Sequence, residues 1–115
     1  MLSANTHAVA LWDAFPVSPG HALIISRRHV ADLFELSAEE HAALWALLPA
    51  VKAAICACYE PAGFNVGVNV GFAAGQTIGH VHVHVIPRYE GDAVDPRGGV
   101  RWVLPDRAAY WKPSQ

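Results

Sequence analysis

Apolar positions recur along the chain with two periods, and the change from one to the other divides it into elements. In residues 63–71, Phe64, Val66, Val68 and Val70 alternate with Asn65, Gly67 and Asn69, the pattern of a half-exposed strand. Residues 79–87 alternate in the same way, His80, His82 and His84 against Val81, Val83 and Val85, and Pro87 is expected to end that strand. Two aliphatic runs, residues 7–13 and 21–26, also read as strands. Between them Pro16, Pro19 and Gly20 mark a turn. After Ser37 the period lengthens to that of a helix, with Ala42, Leu44, Trp45, Leu48, Val51, Ile55 and Tyr59 as its apolar stripe. Ser37 followed three residues later by Glu40 is a capping-box pattern, which puts acidic groups at the positive helix end. Pro49 should kink this helix or split it in two. Residues 27–36 read as a short helical turn, 72–77 as a loop, and 88–115 as irregular. The order β-β-α-β-β predicts an α+β domain with an antiparallel sheet, one long helix and a short one.

Composition narrows the class. A chain of 115 residues makes one domain, here a core over 1–92 and a tail over 93–115. With 53% hydrophobic residues, 16% charged residues and a net charge of −2, it can bury a core and has no basic footprint for nucleic acid. Apolar stretches are broken well short of the ~20 residues that span a bilayer, so no membrane partner is expected. The first residues lack the basic start and apolar block of a secretory signal, which points to the cytoplasm. Cys56 and Cys58, one residue apart, form neither a disulfide framework nor a zinc ribbon. They are expected to be reduced, small residues in or near the core.

The alternating histidines carry the candidate chemistry. On a strand they share one face while the valines pack beneath the helix, in a row spanning roughly 13 Å. A merely polar, solvent-facing sheet side accounts for the alternation but not for the same uncommon residue three times. A metal site is a second reading, because His at i and i+2 can converge on one ion, with His21 or Asp13 completing the set. All three cannot reach one zinc through bonds of ~2.0–2.1 Å. Phosphate chemistry is the third reading and accounts for most. One neutral imidazole can attack phosphorus, its neighbours can donate to non-bridging oxygens, and crowding keeps them uncharged near neutral pH. The glycine-bearing loop before the strand can aim backbone N–H groups at an anion, with Gln76 and Thr77 adding side-chain donors.

The stretch Gly75-Gln76-Thr77-Ile78-Gly79-His80-Val81-His82-Val83-His84-Val85-Ile86 resembles the histidine triad family, whose signature is three histidines separated by single apolar residues and followed by two more. The resemblance extends to residues 13–30 and 64–77, and so covers most of residues 10–92. It implies a small α+β nucleotide hydrolase or transferase, a homodimer joined through a strand and the long helix, with no structural metal and no tightly bound cofactor beyond Mg2+ accompanying a polyphosphate substrate. By motif position it implies that His82 is the nucleophile, attacking an α-phosphate to form a nucleotidyl-histidine. His84 would contact phosphate oxygens, and His80 would support the nucleophile through its backbone carbonyl. His21 matches the family's fourth histidine and Asp13 the acidic position that holds ribose hydroxyls, with a simple cap on the turn before Pro16 as the lesser reading of Asp13. Asn69, Gln76 and Thr77 match positions that contact phosphate or leaving group. The Pro87-Arg88 pair resembles the dinucleoside polyphosphate hydrolase branch more than the nucleoside phosphoramidase branch, and would place Arg88 near distal phosphates. A nucleotide-binding regulator with little turnover is the remaining alternative. His29 is expected to anchor the helical turn, Trp12 and Trp45 to be core or dimer contacts, and Trp102 and Trp111 to cover the site or a partner.

Overall fold

The structure, a computed structural model, describes residues 1–113. Strands β1 (Ser3–Ala4), β2 (Ala8–Trp12) and β3 (Ala22–Ser26) precede helices α1 (Ala38–Ala46) and α2 (Leu48–Cys58). Strands β4 (Gly63–Val68) and β5 (His82–Arg88) and a four-residue helix α3 (Pro105–Ala108) complete the chain. The strands form one sheet in the order β1-β2-β3-β5-β4. Every pairing is antiparallel, as the α+β reading requires.

One face of the sheet meets the helices. Ala8, Ala10, Ala22, Ile24, Val83 and Val85 are buried there against Leu44, Leu47, Val51 and Ile55. The stripe therefore narrows, for Ala42, Trp45 and Tyr59 stay exposed. Ser37 accepts from the Glu40 amide at 3.1 Å and Glu40 accepts from the Ser37 amide at 2.9 Å, completing the capping box; such a cap contributes about 1 kcal/mol. Pro49 falls in the first turn of α2, where its missing N–H breaks no bond, and the helix divides at Leu47. Together the two helices cover 21 residues, of which an 18-residue window has mean hydropathy 1.6, long and apolar enough to cross a membrane by length and composition alone. Glu39, Glu40 and Lys52 interrupt this stretch, as expected from the sequence, and Leu44, Leu47, Val51 and Ile55 are buried against the sheet.

Several other expectations change. Strand β5 continues through Pro87 to Arg88, because β3 pairs with it only as far as Val85. Beyond that point the proline nitrogen faces no ladder acceptor, and the carbonyl of Pro87 accepts from Ser18 Oγ at 2.7 Å. Cys56 and Cys58 are exposed rather than near the core, since they lie off the Val51–Ile55 stripe. Trp12 and Trp45 are 40% and 37% exposed, so neither is a core residue. The helical turn shrinks to three residues, Leu33–Glu35. The tail is ordered: a 3-10 turn over Gly99–Val103 leads into α3.

Candidate active site

The opposite sheet face carries the histidines, and hydrogen-bond chemistry fixes which nitrogen of each holds the proton. His82 Nδ1 lies 2.9 Å from the carbonyl oxygen of His80. A carbonyl only accepts, so Nδ1 is protonated and Nε2 keeps its lone pair. His80 begins before the strand, which corrects the picture of an even row of three. Its backbone has left the ladder, with the Val81 amide bonded instead to the Val30 carbonyl at 2.7 Å. The His80 ring turns to the Ser26 carbonyl, to which Nε2 donates at 2.7 Å. Ser26 Oγ, which donates to the Arg28 carbonyl at 2.8 Å, sits 3.3 Å from the same nitrogen. His80 Nδ1 is then an acceptor, and His29 Nδ1 donates to it at 2.9 Å.

A second chain of donors ends at His84. His21 Nδ1 accepts the Val17 amide at 3.1 Å, so its proton is on Nε2, 2.9 Å from His84 Nδ1. Asp13 Oδ2 lies 3.3 Å from the same His21 nitrogen and 3.9 Å from His84 Nδ1. His84 Nδ1 thus accepts, and its own proton sits on Nε2. The strand therefore presents a bare nitrogen on His82 and an N–H on His84, with ring centres 5.0 Å apart. Asp13 serves both readings: Oδ1 caps the turn by accepting the Phe15 amide at 2.8 Å, and Oδ2 faces the histidines. Gly20 makes this possible at φ +87, where an added Cβ would lie 2.9 Å from Tyr59 Cδ2, so the turn into His21 demands glycine.

Burial pushes the His21 imidazole below its ordinary value, with Asp13 opposing the shift. Burial also lowers His84, reinforced by His82 and His21 and opposed by Asp13. Both therefore stay neutral near pH 7, and their effect on stability has a definite sign. With folded-state values below the ordinary 6.5, the unfolded chain takes up protons first as pH falls. The stability they contribute is full above about pH 6.5 and is lost as pH falls through the folded-state values. Glu40, beside the Arg28 guanidinium, and Asp92, beside Arg88, are each held down to about 2, so neither titrates in this window. Thermal melts should fall from pH 7.5 to 5 in the native chain and fall less in His84→Asn. Equal slopes would contradict this.

The remaining expected site residues divide. Asn69 borders a pocket together with His21 and His84. Gln76 spends its amide on the loop: Oε1 accepts the Gly71 amide at 2.9 Å, while Nε2 donates to the Ala31 and Ile78 carbonyls at 2.8 and 3.0 Å. Thr77 is exposed, and among the described residues the amides of Thr77, Ile78 and Gly79 donate to no protein acceptor. Arg88 donates twice to Asp92 at 2.8 Å and once to Asn65 at 2.6 Å, a paired cation rather than a free one. His29 and Ser26 belong to the site's support and carried no signal in the sequence. Their partner His80 comes from 54 residues further along for Ser26 and 51 for His29. Asp13, His21 and His84 offer ligand atoms within 4.8 Å of one another, a donor set a transition metal could use. In this geometry those nitrogens are committed to the proton chain.

Residues 1–91 match the family model described as the HIT domain. The chain is 40% identical over 85 residues to the AP-4-A phosphorylase of Mycobacterium tuberculosis, an alignment covering 73% of this chain and 44% of that one. It is 39% identical over 77 residues to the asymmetrical bis(5'-nucleosyl)-tetraphosphatase of Schizosaccharomyces pombe, covering 67% of this chain and 42% of that protein. Among solved structures, a HIT family protein from Bacillus anthracis is similar at a TM-score of 0.71 and 39% identity, covering 76% of this chain and 62% of the other. The chain thus spans less than two thirds of the length of each.

Proposed function

The chain belongs to the histidine triad (HIT) family, and we propose that it cleaves nucleotide substrates at the α-phosphate through a nucleotidyl-histidine, with dinucleoside polyphosphates as the favoured class. The carrying observation is the His82 Nδ1–His80 carbonyl bond, which leaves Nε2 unprotonated on the open sheet face. His82 Nε2 attacks the α-phosphorus; a P–N bond forms as the P–O bond to the remaining phosphates breaks, and the electron pair leaves on that oxygen. Water then attacks the same phosphorus, the P–N pair returns to Nε2, a proton passes to solvent, and a nucleoside monophosphate is released. The N–H of His84 and the amides of Thr77–Gly79 supply donors for the phosphate oxygens. In this reading Asp13 Oδ2 accepts from ribose hydroxyls, Asn69 meets phosphate or leaving group, and Arg88 exchanges Asp92 for the distal phosphates. Gln76 acts by holding its loop. Mg2+ would travel with the polyphosphate. The relatives called AP-4-A phosphorylase and bis(5'-nucleosyl)-tetraphosphatase support the substrate class.

One observation favours a second reading, an AMP-amine hydrolase. A polyphosphate leaves without a proton, whereas an amine needs one, and His84 Nε2–H is a positioned donor. Purified protein should be given diadenosine tetraphosphate, diadenosine triphosphate and an AMP-amine in parallel, with EDTA or with Mg2+. AMP chiefly from the dinucleotides supports the first reading, AMP chiefly from the amine the second, and none from any leaves a nucleotide-binding regulator.

A homodimer fits the sheet. Among the described residues the outer edge of β4 is unpaired, and beside it Leu48, Pro49, Phe64 and Val66 line an apolar hollow of 360 Å³. Trp45 is exposed on the same helical run. Sedimentation should show a dimer; a monomer at micromolar concentration would remove this part of the reading. The exposed, unpaired Cys56 and Cys58 suit the reducing cytoplasm.

A further inference from the structure

A pocket of 350 Å³ adjoins the histidines, bordered by His21 and Val17 on one side and by residues 65–69 of β4 and its following turn on the other. Its floor is Gly67 of β4, which pairs with His84. Above Gly67 the space is open, since a Cβ built there would meet nothing within 4 Å. Its walls are apolar: Ile86 of β5, Val17 of the turn before His21, and Val100 and Val103 from the tail. Val100 and Val103 are 60% and 78% exposed, so these apolar side chains border the pocket without covering one another. Asn65 and Asn69 stand at its edges, and Asn65 keeps its Nδ2 donors because only Oδ1 is used, by Arg88.

The tail is built to hold that wall in place. Arg101 donates to the Ala108 and Arg107 carbonyls at 3.0 and 2.7 Å, and Trp102 Nε1 donates to the Arg97 carbonyl at 2.7 Å. The Arg97 guanidinium stacks 4.4 Å from the Trp111 ring centre. Gly99, at φ +45, brings this assembly onto β4, where an added Cβ would lie 3.2 Å from Asn65 Nδ2.

We propose that this pocket is a subsite for the nucleobase of the leaving nucleotide. The inference rests on the hydrolase reading above. In-line displacement sends the leaving oxygen away from His82. His84 and Ile86 follow His82 on the same face of β5, about 7 Å per step. The strand order puts β2 and β3, with Asp13, on one side of β5 and β4 on the other. The attacked nucleotide's ribose at Asp13 and the β4 and tail walls of the pocket therefore lie across β5 from one another, with His21 and His84 between them. At 350 Å³ the pocket is at the lower end of the ~300–1,000 Å³ typical of ligand sites, room for a flat base but not for a whole dinucleotide. Aliphatic walls over a bare glycine floor suit a ring's two faces, and the Asn amides suit its edge.

The test compares diadenosine tetraphosphate with adenosine 5'-tetraphosphate, which has the same phosphate chain without the second nucleoside. The native chain should favour the dinucleotide in kcat/KM. Val103→Trp, which fills the pocket, should lower kcat/KM for the dinucleotide at least tenfold, mainly through KM, and change the mononucleotide by no more than twofold. Val100→Ser/Val103→Ser, which makes the wall polar, should act in the same direction. Thermal melts verify that both variants fold. Equal losses on both substrates, no loss on either, or no native preference would overturn the subsite. AMP from neither substrate with the native chain would instead refute the hydrolase reading, and the subsite with it.

Discussion

His82→Asn should lower turnover of every nucleotide substrate by about four orders of magnitude or more, the scale seen when a covalent nucleophile is removed. The substitution keeps a donor for the His80 carbonyl, which now bonds Nδ1 at 2.9 Å, so the backbone has no reason to move. Nucleotide binding should survive, because His84, Asp13 and the loop amides are untouched. Steady-state kinetics beside equilibrium binding separate the two effects. His80→Ala is the contrasting variant: the carbonyl that holds His82 is backbone and remains, and only the ring's bonds to Ser26 and His29 are lost. Its loss should stay within about a hundredfold, the cost of a modest misplacement. A His80→Ala defect as deep as that of His82→Asn would make His80 chemical rather than positional. Undiminished turnover in His82→Asn would reject the assigned nucleophile.

Ile24→Ala should cost about 2–5 kcal/mol of stability, the range for deleting a buried aliphatic side chain and leaving part of its volume empty. Ile24 is fully buried at the centre of β3, paired with Ala10 on one side and Val83 on the other. Small neighbours such as Ala10 cannot reach into the space left behind. Against a total of about 5–15 kcal/mol, that loss is a large share, and at about 4 °C per kcal/mol the melting temperature should drop by about 8–20 °C. The consequence reaches the site, because Leu23 and Ile25 pair with His84 and His82. Folded variant at low temperature should keep most of its kcat, since those pairings are backbone. A shift of under 3 °C in a calorimetric melt would show that β3 is not the load the core rests on.

The alternation of residues 79–87 made β5 and its two faces legible, and Val83 and Val85 are buried as the pattern requires. The capping box at Ser37 and the division near Pro49 were equally readable, because both depend on contacts within four residues. What the sequence concealed depends on distant partners. Pro87 signals a strand end only if a neighbour needs its missing N–H, and β3 stops at Val85. His80 matches the period but obeys Ser26 and His29, which no local pattern could announce. Gln76 has a donor set suited to phosphate, yet Ala31 and Ile78 take it up. The aliphatic residues of the tail, Val100 and Val103, attract no attention as a motif, although they reach the pocket beside His84 while Trp102 is held by Arg97.

A covalent bond between His82 and the nucleotide distinguishes this mechanism from every alternative, and it can be trapped. Native protein mixed with diadenosine tetraphosphate would be quenched within one turnover in alkaline denaturant, where a phosphorus–imidazole bond persists, and then digested for mass spectrometry. The peptide bearing His82 should carry one AMP group, removed by brief acid and missing in His82→Asn. AMP attached to another residue, or AMP formed with no adduct and with inversion at a chiral α-phosphorus, as a single direct attack by water requires, would contradict it.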